Sequence, residues 1–190
     1  MNRLIKIAVT ALVLAGANVA FAEFATLNPD KSSVSFVTTK VQDIQEVMRF
    51  DQLSGSISDD GSVVIRIHAN SINTMIPIRD DRMKEHLFEI ADFPVITVSA
   101  EIDTDSLVGT SKRKLAATLD LLGAEHSIDL NLLVSVSDDQ ITVASVEPVL
   151  VNAANLGLAE GVVKLGQLAG GIWIGNSVPV SVALTFDRAD

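Results

Sequence analysis

The chain has 190 residues, of which 48% are hydrophobic, 20% are charged and 4% are aromatic, and it contains no cysteine. This length suits one domain, and the lack of thiols excludes disulfides, thiol chemistry and cysteine-based metal centres. The net charge is −10, and no large cluster of lysine and arginine offsets it, which argues against nucleic acid as a partner.

The first 22 residues have the parts of a secretory signal peptide. Arg3 and Lys6 precede an apolar run that ends in the small residues Ala20 and Ala22. The run is shorter than the roughly 20 apolar residues that a membrane span needs. We therefore predict cleavage after Ala22 and export to the periplasm. The mature domain, residues 23–190, then has 12 basic and 24 acidic residues.

Apolar and polar residues alternate along most of the mature domain, which is typical of strands with one buried face. In the stretch SVVIRIHA, for example, Val63, Ile65 and Ile67 form an apolar face, whereas Arg66 and His68 point the other way. The same alternation predicts strands over residues 33–41, 47–58, 62–69, 96–102, 115–121, 128–136, 141–150 and 178–186.

Two segments depart from this alternation and predict short helices. Met83 and Leu87 have helical spacing within residues 79–93, and Pro94 prevents the helix from continuing. Residues 158–169 place apolar side chains on one side before a Gly-Gly stop. Both stripes are typical of helices that pack on a sheet rather than of cofactor sites.

The predicted architecture is all-β. Turn sequences at 59–61 and 137–139 reverse the chain between neighbouring strands. About eight antiparallel strands with one apolar face are best satisfied by an extended eight-stranded barrel, because closure leaves no unpaired edge. One or two short helices would pack on it. A two-sheet sandwich buries the same residues and stays open as an alternative.

No catalytic or metal-binding pattern emerges from the sequence. His68, His86 and His126 are far apart, and none has the spacing of a metal site. A nucleophile elbow, a phosphate loop and a dinucleotide fingerprint are all missing. We predict no enzyme activity, no metal and no cofactor. The alternative is an enzyme that uses His126 with a nearby acid.

The apolar inner face is the remaining candidate for function. An eight-stranded barrel has an interior that its own side chains can fill or that can hold one apolar ligand. The inward residues are mostly short aliphatics, and composition leaves both options open. A hollow interior would suit a long hydrocarbon, because each buried methylene contributes about 0.8 kcal/mol.

The order of several short motifs is similar to that of the YceI-like family of exported lipid-binding proteins. The matching pieces, spread over the mature chain, are SVSF (33–36), Phe50 with LSGSI (53–57), SINT (71–74), RDDRMKEHLFE (79–89), FPVITV (93–98) and LDLLG (119–123). This resemblance implies a lipocalin-like barrel whose pore binds, carries or stores a polyisoprenoid or quinone-like lipid without catalysis.

The resemblance also implies a set of pore-lining, lipid-binding residues. They are Phe36, Phe50, Leu53, Ile57, Ile72, Met83, Leu87, Phe88, Ile96, Val98, Leu119 and Leu121. The segment 155–171 lies outside the family motifs, and we expect it to cap, narrow or plug the pore. The few basic residues, among them Arg79, Arg82 and the run 112–114, either face an anionic head group or are scattered solvated charges.

Other functional interpretations remain open at this point. An exported interaction module would have the same barrel with a self-filled core and no lipid. An outer-membrane barrel would turn the apolar face outward, but the sequence has no tyrosine and one tryptophan for the aromatic girdles. We therefore expect a domain that does not span the membrane, either as a monomer or as a homodimer.

Overall fold

The computed structural model describes residues 23–189, so the predicted signal peptide, residues 1–22, lies outside the described residues. Within this range the chain forms twelve strands and two α-helices. They are β1 (Glu23–Leu27), β2 (Ser33–Lys40), β3 (Ile44–Phe50), β4 (Leu53–Ser58), β5 (Ser62–His68), β6 (Ile72–Asn73), α1 (Pro77–His86), β7 (Val95–Glu101), β8 (Thr110–Leu121), β9 (Ala124–Val136), β10 (Gln140–Ser145), β11 (Val149–Asn152), α2 (Ala159–Leu168) and β12 (Ser177–Arg188).

Eight antiparallel strands close into a barrel, which confirms the predicted fold class. Their order is β1-β4-β5-β7-β8-β9-β10-β12, and pairing between β12 and β1 completes the ring. The first half of β12 also pairs with β2, which continues to β3 and β6, and with β11 on its other side. The extra strands therefore extend the barrel at one end.

The predicted alternation explains which side chains enter the barrel. Ile65 and Ile67 of β5 are buried, whereas Arg66 between them is exposed. The predicted turn at 59–61 is also present, and its Gly61 has a φ of 92°. A side chain there would meet the Ile102 carbonyl, so glycine is required both for the backbone angle and for this close approach.

Two of the predicted strands are each divided in the structure. The segment 47–58 separates into β3 and β4. The Asp51 amide donates to the Ser71 carbonyl (3.1 Å) and the Gln52 amide donates to the Ser71 hydroxyl (2.9 Å). These two amides therefore do not pair with a neighbouring strand. The segment 141–150 separates into β10 and β11 around Pro148, which has no amide hydrogen for a ladder. The prediction also missed β1 and the short β6.

The first helix differs from the predicted 79–93 at both ends. It begins two residues earlier and ends seven residues earlier. It begins at Pro77, because proline at the first helical position loses no hydrogen bond. It ends at His86, where the amides of Leu87 and Phe88 both bond the Met83 carbonyl at 3.0 and 2.9 Å. The second helix agrees with the predicted 158–169 to within one residue at each end.

Candidate functional site

An apolar cavity of about 840 Å³ occupies the barrel and is also lined by both helices. Its volume lies in the range of roughly 300–1,000 Å³ that is typical of ligand pockets. The wall is aliphatic and aromatic except for one glycine and ten polar side chains. The interior of this barrel is therefore not filled by its own side chains.

Ten of the twelve sequence-predicted pore residues line this cavity. They are Phe36, Phe50, Ile57, Met83, Leu87, Phe88, Ile96, Val98, Leu119 and Leu121. Leu53 and Ile72 are buried, with 6% and 3% exposure, but they lie in the hydrophobic core outside the cavity wall. Leu53 begins β4, and Ile72 lies on β6 opposite Phe50.

Three phenylalanines form an aromatic group in the wall. The Phe50 ring centroid lies 5.7 Å from that of Phe36 and 5.5 Å from that of Phe88, the latter in an edge-to-face arrangement. Phe36 and Phe50 come from the β2–β3 hairpin and Phe88 follows α1. Contact between these rings therefore joins the hairpin to the helix that lines the cavity.

The cavity has two ends that are defined by the strand β7. Val95 pairs with His68 at the end where α1 lies, and Glu101 pairs with Ser62 at the opposite end. We call these the helix end and the loop end, the latter after the loop 102–109. Both ends have lining residues that are exposed, such as Ile78 at the helix end and Glu101 at the loop end.

An ion cluster centred on Glu46 borders the helix end. Glu46 Oε2 accepts from Lys40 Nζ at 2.8 Å and from Arg79 Nη1 at 2.5 Å. Arg79 Nη2 donates to the Thr74 carbonyl at 2.6 Å, and Arg82 Nη1 donates to the Leu168 carbonyl at 3.0 Å. The hydrogen bond from Lys40, supported by the Arg79 guanidinium, holds the pKa of Glu46 below its usual value.

A different arrangement borders the loop end. Arg113 lies on the inner face of β8, and its guanidinium donates to Ser106 Oγ at 2.7 Å, to Ser111 Oγ at 3.2 Å and to the Ser106 carbonyl. Glu101, Asp103 and Lys114 line the same end and are exposed. Arg113 is thus the partly buried charge of this group.

The segment 155–171 contributes to the wall of the cavity without filling it. Val162 and Leu165 of α2 line the cavity, whose volume remains about 840 Å³. A side-chain Cβ at Gly161 would lie 2.6 Å from the His86 carbonyl oxygen, so glycine permits α1 and α2 to pack closely. A Cβ at Gly166 would likewise lie 2.5 Å from the Ile172 carbonyl oxygen, so glycine also permits the chain that follows α2 to pass close to this helix.

The three histidines lie apart from one another and outside the cavity wall. His68 Nε2 is 3.4 Å from the Ser54 hydroxyl, and His86 Nε2 is 3.8 Å from a Glu85 carboxylate oxygen. His126 Nε2 is buried without a hydrogen-bond partner among residues 23–189. Among residues 23–189, no hydrogen bond joins any two of these histidines.

Sequence reasoning missed part of the cavity wall. Val34, Met48 and Leu132 line it on faces that the alternation identifies, but they are absent from the predicted lining set, and of the three only Val34 lies within a family motif. Arg113 also follows the period of two, because it precedes Leu115 by two residues on the inner face of β8. A strict reading of alternation, charges included, would have found all four.

The closed barrel and its apolar cavity define a protein with a lipocalin-like fold and an internal apolar chamber. The family model described as YceI-like domain matches residues 26–186. The chain therefore belongs to the YceI-like family. No curated protein sequence is significantly similar to it. Within the described residues, no helix is long and apolar enough to cross a membrane.

Solved structures agree with this assignment. A polyisoprenoid binding domain from Saccharophagus degradans, implicated in plant cell wall breakdown, is 35% identical, with a TM-score of 0.85 over 88% of this chain and 99% of that chain. BcnA from Burkholderia cenocepacia is 13% identical, with a TM-score of 0.65 over 84% and 98%. The Campylobacter jejuni YCEI protein is 14% identical, with a TM-score of 0.58 over 97% and 100%. The last two support the fold alone.

Proposed function

We propose that this protein binds a polyisoprenoid or a similarly long apolar lipid inside the barrel, without catalysis, as a carrier or store. The observation that carries the proposal is the apolar cavity of about 840 Å³. The S. degradans relative, described as a polyisoprenoid binding domain, supports the same ligand class. A self-filled interaction module does not fit an interior of this size.

The energetics of the cavity favour a hydrocarbon over a polar ligand. Each methylene moved from water into an apolar wall contributes about 0.8 kcal/mol. Several isoprene units would therefore offset the roughly 4–15 kcal/mol that association costs in lost freedom of motion. A polar metabolite would instead lose hydrogen bonds to water, because the polar side chains are confined to a small part of the wall.

The direction of the apolar faces disfavours the outer-membrane alternative. Buried residues such as Ile65, Ile141 and Phe186 point into the barrel, whereas a membrane barrel requires an apolar exterior. Together with the signal peptide predicted in residues 1–22, this supports a periplasmic protein that does not span the membrane.

Native mass spectrometry of protein purified from the periplasmic fraction without detergent tests the proposal. We expect one bound lipid per chain. The mass of the polypeptide should be that of a chain whose first residue is Glu23. After solvent extraction, the protein should take up geranylgeraniol or a quinone with an isoprenoid tail. A protein that emerges empty and takes up neither lipid would refute the binding function. The same spectrum distinguishes a monomer from a homodimer.

A further inference from the structure

Arg113 is a cation on the otherwise apolar inner face of β8. Leu115 and Ala117 follow it at intervals of two residues, and it pairs in register with Leu132 of β9. All four residues line the cavity. A charged side chain at this position is costly to bury, and nothing in the pairing of β8 with β9 requires it.

The guanidinium of Arg113 has no carboxylate partner. Among residues 23–189, no carboxylate oxygen lies within 4.0 Å of it, and its three hydrogen bonds go to neutral oxygens of Ser106 and Ser111. Arg79 at the helix end differs, because Glu46 compensates its charge at 2.5 Å. Arg113 therefore differs from Arg79 in having no bonded carboxylate.

The carboxylates near the loop end are already engaged elsewhere. Glu101 Oε1 accepts from the Ser62 hydroxyl at 3.3 Å, and Asp103 Oδ1 accepts from the Asp105 amide at 3.1 Å. Both are exposed, so solvent screens their effect on Arg113. An anion that enters the cavity would be closer to the guanidinium than either of them.

We propose that Arg113 binds an oxyanion, a phosphate or carboxylate, at the head of the lipid chain. A guanidinium has five N–H donors in a planar fork that fits such oxyanions, and the hydrogen bonds described above use three of them. A charge-assisted bond in a partly buried site is stronger than a neutral one. This inference rests on the proposed function, because the hydrocarbon that carries the head would fill the same cavity.

The proposal also orients the ligand. With its head at the loop end, the tail extends toward the helix end, where Phe36, Phe50 and Phe88 form the aromatic group of the wall. Those rings offer no hydrogen-bond donor and suit a hydrocarbon terminus. At the helix end Glu46 already bonds Lys40 and Arg79, so an anionic head placed there would compete with its carboxylate for these two cations.

Comparison of geranylgeranyl phosphate with geranylgeraniol isolates the head group, because both share one tail. In calorimetry with the delipidated protein, we expect the phosphate to bind at least about tenfold more tightly, as a hydrogen bond to a charged group permits. Arg113→Met should abolish this preference while geranylgeraniol still binds, and Arg113→Lys should retain part of it. Lys112→Met, on the exposed face of the same strand, is the matched control and should keep the full preference.

Several results would overturn this assignment. Equal affinities in the wild type, or an unchanged preference in Arg113→Met, would exclude Arg113 as the head-group site. Loss of the preference in Arg79→Met instead would place the head at the helix end. If inorganic phosphate alone raised the affinity for geranylgeraniol, the site would belong to free phosphate. Failure of both lipids to bind the wild type would refute the proposed function itself.

Discussion

Replacing Ala117 with leucine tests whether the barrel is hollow. Ala117 is 5% exposed and lines the cavity on β8. Leucine adds three carbon atoms, and burying each is worth about 0.8 kcal/mol, so the lipid-free variant should gain up to about 2 kcal/mol of unfolding free energy. In a filled interior the same change would instead cost about 1–3 kcal/mol through overpacking. The change in unfolding free energy therefore has opposite signs for a hollow and a filled interior.

Urea unfolding of delipidated protein measures this change, with Ala116→Leu as the control. Ala116 is the neighbouring residue on the exposed outer face, so its substitution should leave both stability and lipid binding unchanged. Ala117→Leu should also weaken geranylgeraniol binding at least about tenfold, because the new side chain takes space from the tail. Clear destabilisation of Ala117→Leu with unchanged lipid affinity would contradict the reasoning.

Two further predictions concern the helices and the helix end. Gly161→Ala should lower the unfolding free energy by about 1–3 kcal/mol, because the new Cβ would lie 2.6 Å from the His86 carbonyl oxygen. Thermal unfolding measures this change. Val163→Ala, on the exposed side of α2, is the control and should have little effect. Because Lys40 lowers the pKa of Glu46 beneath 4.5, ionised Glu46 stabilises the fold at higher pH, and this contribution is lost as the pH falls through the lowered pKa. Glu46→Gln should therefore flatten the acid limb of the stability profile, and an unchanged limb would count against this ion cluster.

Local pattern was sufficient to predict the strands and their buried faces, but it did not separate a barrel from a sandwich and did not predict the extension of the barrel. The alternation around Ile65 and Ile67 depends only on which face is buried, and that information lies within a few residues. The division of β12 between β1 and β2 depends on pairing with residues about 150 positions away along the chain, which no local pattern encodes. For the same reason the break between β3 and β4 at Asp51 was not visible in the alternation.

The candidate site was also predicted only in part from the sequence. Inner-face residues such as Phe50 and Leu119 were identified because the family motifs cover them. Leu53 satisfies the same motifs and is buried, yet it lies outside the cavity wall, because burial alone does not distinguish a core from a chamber. Both helices contribute to the cavity wall, and their close packing depends on the glycine at 161, a contact between distant segments that no local pattern indicates.

A hollow interior is compatible with stability here because closure of the sheet does not depend on filling it. The ring is held by strand pairing, including the continuous register of β8 with β9 from Thr110↔Ser135 to Leu121↔Ala124. The empty volume still forgoes contacts that a packed core would make. A ligand that occupies it restores those contacts only in the folded state, so bound lipid should raise the unfolding free energy as its concentration exceeds its Kd. Loading and stability are therefore coupled in this fold, and a side chain such as leucine at position 117 reproduces a small part of what the lipid supplies.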